Sequence, residues 1–250
     1  MALLEICNIT KKYNKRLVID DISFDIDPGD VIGIMGENGA GKSTLISMLV
    51  TLIKPSSGDI LFNGESIIKK PRIIRGNIGY VPQDIALYQE LSGIDNLKYW
   101  GRTYHLTKKE LDCAIQRVID IIELDTGVLK RKVLTYSGGM KRRLNIGIAL
   151  LNNPEIIIMD EPTVGVDIIS KEHILNVINR LNKEGKTIVY TSHYFDELEQ
   201  ICNKVCIVKQ GRIMEFTDMN SILNNDGEYN EKRGLKEYYL HKYQGNVFLS

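Results

Sequence analysis

The stretch GENGAGKST, residues 36 to 44, meets the spacing G-x-x-x-x-G-K-[ST] with Gly36, Gly41, Lys42 and Ser43. That spacing makes a phosphate cradle. Glycines let the backbone curl until its N–H groups face a β-phosphate, so the whole loop (Gly36, Glu37, Asn38, Gly39, Ala40, Gly41, Lys42, Ser43, Thr44) is a candidate ligand surface. Lys42 would reach the β- and γ-phosphates, and the Ser43 hydroxyl would ligate Mg²⁺. EIIIMDE, residues 155 to 161, is an apolar run ending in Asp160 and Glu161. Alone that is a weak signal, since strands often end in charge. After a phosphate loop it is a strong one: the first carboxylate serves the metal and the second orients or activates water. His193 closes KTIVYTSH, and a lone histidine is more often structural than catalytic; the end of a central strand of an α/β sheet favours the site. Gln83 in GYVPQD follows another strand, where a neutral amide can sense magnesium or water. TYSGGMKRRL, residues 135 to 144, is a second surprise, a loop entering a helix whose first turn holds two glycines and leaves N–H groups bare for a second anion.

Elements must hold these residues. Short β-branched runs occur at 31 to 36, 58 to 64, 155 to 160, 186 to 193 and 204 to 211, several apolar on both faces, as strands covered by helices are. Helical patterns alternate with them. One begins at Lys42; another, SKEHILNVINRLNKEG, carries Ile174, Leu175, Ile178 and Leu181 on one stripe and stops at Gly185. This order predicts an α/β fold with a mostly parallel core sheet. The alternation breaks at roughly 92 to 150. There a capping box, Thr107 to Glu110, opens a stripe of Leu111, Ile115, Val118, Ile119 and Ile122. An α-helical subdomain of about 84–150 is therefore expected inside a domain of 1–217. LEICNITKKY and LVIDDISFDI alternate in the β manner and predict an N-terminal antiparallel β subdomain. After 217 the pattern weakens into a tail, 218–250, with NNDGEYNEKRG as a surface loop or linker.

Composition narrows the function. The chain of 250 residues carries 32 Lys plus Arg against 32 Asp plus Glu, without the basic excess of proteins held to nucleic acid by phosphate contacts, so no nucleic-acid partner is expected. Zero net charge fits a subunit that docks on something. Cys7, Cys113, Cys202 and Cys206 form no C-x-x-C pair and are expected as idle thiols of a reducing compartment. MALLEICNITKKY becomes charged too soon for a secretory signal, and no apolar run approaches the ~20 residues of a membrane helix. A cytoplasmic chain is expected.

The ordered set of Tyr13, GENGAGKST, VPQ, SGG, IIIMDEPT, GVD and TSH resembles the nucleotide-binding subunit of an ATP-binding-cassette (ABC) transporter, over about residues 3 to 216. The resemblance implies a P-loop NTPase fold of the ABC ATPase type, with ATP and Mg²⁺ as cofactors and ATP hydrolysis coupled to transport. Tyr13 would stack on adenine, Gln83 would touch the metal with Ser43 and Asp160, and His193 would be the switch histidine. Ser137, Gly138 and Gly139 would form the signature, and Asp167 the aspartate of the D-loop. In this family the phosphate loop of one subunit and the signature of another clamp one ATP. That explains two anion sites in one chain: a second copy, or a homologous subunit, would pair head-to-tail and join helix N-termini across the γ-phosphate.

The signature departs from the commonest L-S-G-G-Q at Tyr136 and Met140, and VGVDIISK departs from G-L-D-P-x-x-R at Ile168 and Lys171. YSGGMKRRLNIGIAL and the C-terminal GLKEYYLHKYQG resemble the exporter branch that handles drugs, polysaccharides or sodium. The partner implied is a separately encoded membrane permease, docked near VPQDIALYQELSGIDNL, which would hold the chain peripherally on the inner face of the cell membrane. The alternative is a soluble ABC ATPase acting in DNA repair or translation. Against it stand one cassette, a short Gln83 to Ser137 spacing and no basic excess.

Overall fold

The computed structural model describes residues 1–224 and 234–244. β1 (Leu4–Tyr13) and β2 (Arg16–Ile26) form an antiparallel hairpin, and β3 (Val31–Met35) leaves it for a second sheet. The phosphate loop follows β3 and opens α1 (Lys42–Leu49). β4 (Ser57–Phe62) and β5 (Glu65–Ser66) return to the hairpin, giving the order β2-β1-β4-β5. The run at 58 to 64, which the sequence groups with the covered strands, therefore lies in the antiparallel sheet. Its reason is visible in β4: Ile60 and Phe62 are buried while Asp59 and Leu61 are only half-buried, so one face alone meets the core.

After α2 (Arg72–Arg75), β6 (Ile78–Val81) joins the second sheet. The inserted helices come next: α3 (Gly93–Thr103), α4 (Lys108–Ile122), α5 (Thr126–Leu129), a 3-10 turn at Val133–Thr135, and α6 (Gly138–Leu150). α4 starts at the expected capping box, with the Thr107 N–H donating to Glu110 Oε2 at 2.8 Å and the Glu110 N–H to Thr107 Oγ1 at 3.4 Å. Leu111, Ile115, Val118 and Ile122 are buried and Ile119 is half-buried. The chain then alternates β7 (Ile156–Asp160), α7 (Ile168–Lys183), β8 (Thr187–Thr191), α8 (Phe195–Ile201), β9 (Lys204–Lys209) and β10 (Arg212–Asp218). α7 buries the predicted Ile174, Leu175, Ile178 and Leu181 and ends where Gly185 turns to φ 85°.

The second sheet runs β10-β9-β3-β8-β7-β6, parallel throughout except for β10. Every residue of β3, β7 and β8 is buried. Successive side chains divide between two apolar layers. Ile157 and Met159 face the inserted helices and α7, whereas Ile156 and Ile158 join α1 and the antiparallel sheet. Each such isoleucine contributes about 1.5–3 kcal/mol on burial. Past residue 217, α9 (Met219–Leu223) and α10 (Leu235–Tyr239), continued by a wider turn through Gln244, bring Met219, Ile222, Leu235 and Tyr239 into the first layer. Tyr238 and Tyr243 donate to the Glu215 carboxylate of β10 at 2.6 and 2.7 Å. Residues 225–233 of the expected loop, and Gly245, lie outside the described residues. Cys202 and Cys206 are buried and unpaired, and burial pushes the Cys206 thiol up to about 12.

Thr107 caps α4 at an exposed position. Thr107→Ala should cost about 1 kcal/mol, lowering Tm by roughly 2–4 °C in a thermal melt, with nucleotide affinity unchanged.

Candidate active site

Parallel strands in register bring their carboxyl ends to one edge. Thr191 pairs with Ile34 on one side and Asp160 on the other, and Val81 pairs with Met159. The loops carrying Gly36 to Thr44, His193, Asp160–Glu161 and Gln83 thus leave four strands together. A cavity of about 400 Å³ lies there, within the range of small-molecule sites. Asn38, Gly39, Gly41, Lys42, Ser43 and Thr44 form its floor; Gln83, Glu161 and His193 form one wall. Tyr13 forms the other with Arg16 and Val18, two residues the sequence reading missed. Tyr13 is half-exposed, with Lys11 Nζ 5.2 Å from its ring centre. Gly36 and Glu37 line a smaller neighbouring cavity behind the loop with His193, and Ala40 is buried beneath.

The loop's shape demands glycine. Gly41 precedes α1 at φ 107°, and a Cβ there would come within 2.7 Å of Ile19 Cδ1 and 3.0 Å of the Val18 carbonyl. A Cβ on Gly36 would collide with the carbonyl of Val208 on β9. Lys42 is 6% exposed, and its ammonium donates to the carbonyls of Gly36 (2.8 Å) and Glu37 (3.3 Å). Burial pulls its pKa below the ordinary lysine value, while Glu161 and Asp160 act the other way. A phosphate would therefore meet a cation already stripped of most of its water.

Glu161 is the most tightly held group of the edge. Its backbone sits at φ 48°, the left-handed region that side chains rarely adopt, which costs on the order of 1–3 kcal/mol. Three contacts oppose that cost. Its N–H donates to Thr191 Oγ1 at 2.9 Å, Gln83 Nε2 donates to Oε2 at 3.2 Å, and His193 Nε2 lies 2.7 Å from Oε1. The neutral bond to Thr191 contributes roughly 0.5–1.5 kcal/mol and bonds to a carboxylate roughly 1.5–3 kcal/mol, magnitudes comparable with the strain. Thr191 also donates to Asp160 Oδ1 at 2.7 Å, so one hydroxyl holds the Asp160 carboxylate and the Glu161 backbone. The signal for it was present in TSH, a hydroxyl two residues before the histidine. Arg142, buried on α6, donates to the carbonyls of Pro82 (2.8 Å) and Gln83 (2.7 Å) and ties the Gln83 loop to that helix. As one of three consecutive basic residues, it carried no such signal.

Ser137, Gly138, Gly139 and Asp167 lie elsewhere, outside the lining of this cavity. Ser137 Oγ accepts from the Met140 N–H at 3.2 Å and caps α6; Asp167 accepts from the Ser170 N–H (2.9 Å) and hydroxyl (2.7 Å) and caps α7. Those two bonds hold the Asp167 carboxyl below the usual carboxylate range. The two helix ends adjoin: a Cβ on Gly139 would collide with Ser170, and the Gly165 carbonyl lies 3.6 Å from a Cβ built on Gly138. Ser137, Gly138, Asp167, Ile168 and Ile169 are exposed, the two isoleucines at 80% and 72%. Tyr136 instead turns inward and donates to the Val128 carbonyl at 2.8 Å, which is how the helix entry accommodates a tyrosine. No described helix is long and apolar enough to cross a membrane.

The model of the ABC transporter family matches residues 19–164. The linearmycin resistance ATP-binding protein LnrL of Bacillus subtilis (strain 168) is 44% identical over 227 residues, 90% of this chain and 73% of that protein. The Nod factor export ATP-binding protein I of Sinorhizobium fredii is 37% identical over 209 residues, 84% of this chain but 61% of its own length. Among solved structures, the dimeric post-hydrolysis state of the ATP-binding cassette MJ0796 bound to ADP and Pi superposes with a TM-score of 0.77 at 25% identity, covering 86% of this chain and 98% of that one.

Lys42→Ala removes the one cation at the cavity floor and leaves the packing around it. Binding of a fluorescent ATP analogue should fall at least on the order of 100-fold, with the melting curve unchanged; wild-type affinity would remove the loop from the site.

Proposed function

As this chain belongs to the ABC transporter family, we propose that Glu161 prepares the water that attacks ATP, and that its exposed serine–glycine turn completes the site of a neighbouring copy. The chain is an ATP-binding, ATP-hydrolysing subunit, and such subunits dimerise and work with a separate permease. The grip on Glu161 by Gln83, His193 and Thr191 carries the reading. A carboxylate so fixed can accept a proton from water only in one direction, which suits a general base or a water-orienting group.

Each remaining role follows from chemistry. The loop N–H groups hold phosphate oxygens, and Lys42 turns from its two carbonyl acceptors to the β- and γ-phosphates. Ser43, Asp160 and Gln83 offer the hard oxygens that Mg²⁺ prefers. When bound, that ion neutralises charge on the β- and γ-phosphates. Tyr13 offers its open ring to adenine. Across the dimer, the N-terminus of α6 with Ser137, Gly138 and Gly139 would meet the γ-phosphate of the partner's ATP, worth about 1 kcal/mol or more. Asp167 would lie at the same contact. ADP offers no γ-phosphate, so hydrolysis loosens the pair.

The relatives named for linearmycin resistance and Nod factor export favour an exporter, with the cargo read by the permease. The chain would sit on the cytoplasmic face of the membrane through that partner. Residues 81 to 97 suit the contact: the Gln83 loop leads to exposed Tyr88 and Leu91, and Tyr88 packs edge-on against Tyr99 with centroids 4.7 Å apart. Neither of the two relatives named above favours a role in DNA repair or translation.

Glu161→Gln keeps the size and the Thr191 contact but removes the base. Hydrolysis should fall on the order of 100-fold or more, with ATP affinity retained. With magnesium and ATP the variant should sediment as a dimer, and with ADP as single copies. Wild-type hydrolysis would overturn the role of Glu161; single copies under ATP would overturn the shared site.

A further inference from the structure

A second carboxylate, outside the cavity, is buried more completely than Glu161. Glu197 on α8 is 0% exposed. Three hydroxyls converge on its Oε2: Ser192 at 2.7 Å, Tyr190 at 2.8 Å and Thr163 at 2.9 Å. Lys171 Nζ lies 3.2 Å from Oε1 and 2.8 Å from Asp196 Oδ2. Burial works against the charge of Lys171, but the two carboxylates outweigh it and its pKa is raised. Buried beside Glu197, the Tyr190 hydroxyl is pushed far above the ordinary tyrosine value, so it stays a donor.

These partners adjoin the groups of the site. Ser192 immediately precedes His193, and its Oγ also accepts from the Tyr194 N–H at 3.0 Å. Thr163 follows Glu161 by two residues. Lys171 lies in the first turn of α7, where its own N–H donates to the Asp167 carbonyl at 2.9 Å. One carboxylate thus joins the Glu161 loop, the His193 loop and the helix end beside the exposed serine–glycine turn. Filling the same volume with apolar side chains is often neutral or stabilising, so stability alone does not account for a fully buried Glu197 facing a partly buried Lys171.

We propose that Glu197 is a positioning residue that, with Lys171, locks the His193 loop to the N-terminal turn of α7, so that contact by a second copy at Asp167 sets the His193–Glu161 pair. This rests on the roles given above to His193 and Glu161. The cation of the lock is Lys171, whose Nζ bridges Glu197 on the buried side and Asp196 at the surface.

The test compares steady-state ATP hydrolysis, fluorescent-nucleotide affinity and thermal melts of the purified 250-residue chain carrying Glu197→Gln, Lys171→Gln, Lys171→Arg or His193→Ala. Misplacing a catalytic group by about 1 Å can cost on the order of 100-fold, so Glu197→Gln and Lys171→Gln should each lose at least about tenfold in kcat while KM stays within about twofold. Lys171→Arg should retain most of the activity. Wild-type kcat in Glu197→Gln, beside an inactive His193→Ala, overturns the lock alone; wild-type kcat in His193→Ala overturns the site reading and the lock with it. Equal losses in Lys171→Arg and Lys171→Gln, or a loss of nucleotide affinity matching that in kcat, also overturn it. Should Glu197→Gln fail to fold, the Lys171 pair decides.

Discussion

Glu161 occupies the left-handed backbone region at a buried strand end, a conformation that side chains enter at a cost. The threonine at the end of β8, the histidine just after it and the amide of the Gln83 loop hold it there, drawn from two neighbouring strand ends of the same sheet edge. Much of the architecture can be understood as what is needed to bring them together. Parallel register aligns the strand ends, two apolar layers clamp the sheet so that register cannot slip, and Arg142 moors the Gln83 loop to α6. A strained carboxylate held in this way has little orientation left to lose when ATP and water arrive.

A second constraint is the charge of the γ-phosphate. The loop before α1 and Lys42 can surround a triphosphate on one side, while the other anion-accepting helix end, at Ser137, lies outside that cavity. A single chain therefore presents a half-built site and a spare half facing solvent, flanked by Ile168 and Ile169, whose apolar side chains stand almost fully exposed. In the proposed head-to-tail pair, each spare half would meet the other copy's cavity. On that proposal closure would depend on nucleotide state, and a permease resting on the Gln83 loop and its aromatic neighbours would feel that closure through Arg142 and Gln83.

Much of this was legible in the residues. The phosphate loop, the Asp160–Glu161 strand end and His193 are local patterns whose chemistry is tied to strand ends, and the cavity gathers Lys42, Gln83, Glu161 and His193 as the order of elements implied. The capping box at Thr107 and the stripe of α7 depend only on neighbouring residues, and both appear as read. What escaped was non-local. The strand at Ser57–Phe62 pairs backwards to β1, a choice made by partners some fifty residues away. Gly139 looked like a bare anion site, yet it is also required by close packing on Ser170. Arg142 and Glu197 act through contacts with distant segments, and no spacing rule reveals a buried hub before the sheet is assembled.

The most direct test of the shared site mixes two disabled chains. Lys42→Ala destroys the phosphate loop and spares the serine–glycine turn. Gly138→Asp, at an exposed position with room for a side chain, places a negative charge where the partner's phosphate would bind. Each alone should be inactive. Head-to-tail pairing gives every mixed pair one site with both halves intact, so an equal mixture should recover about a quarter of wild-type ATP hydrolysis. A mixture no more active than the two chains measured apart would contradict the account.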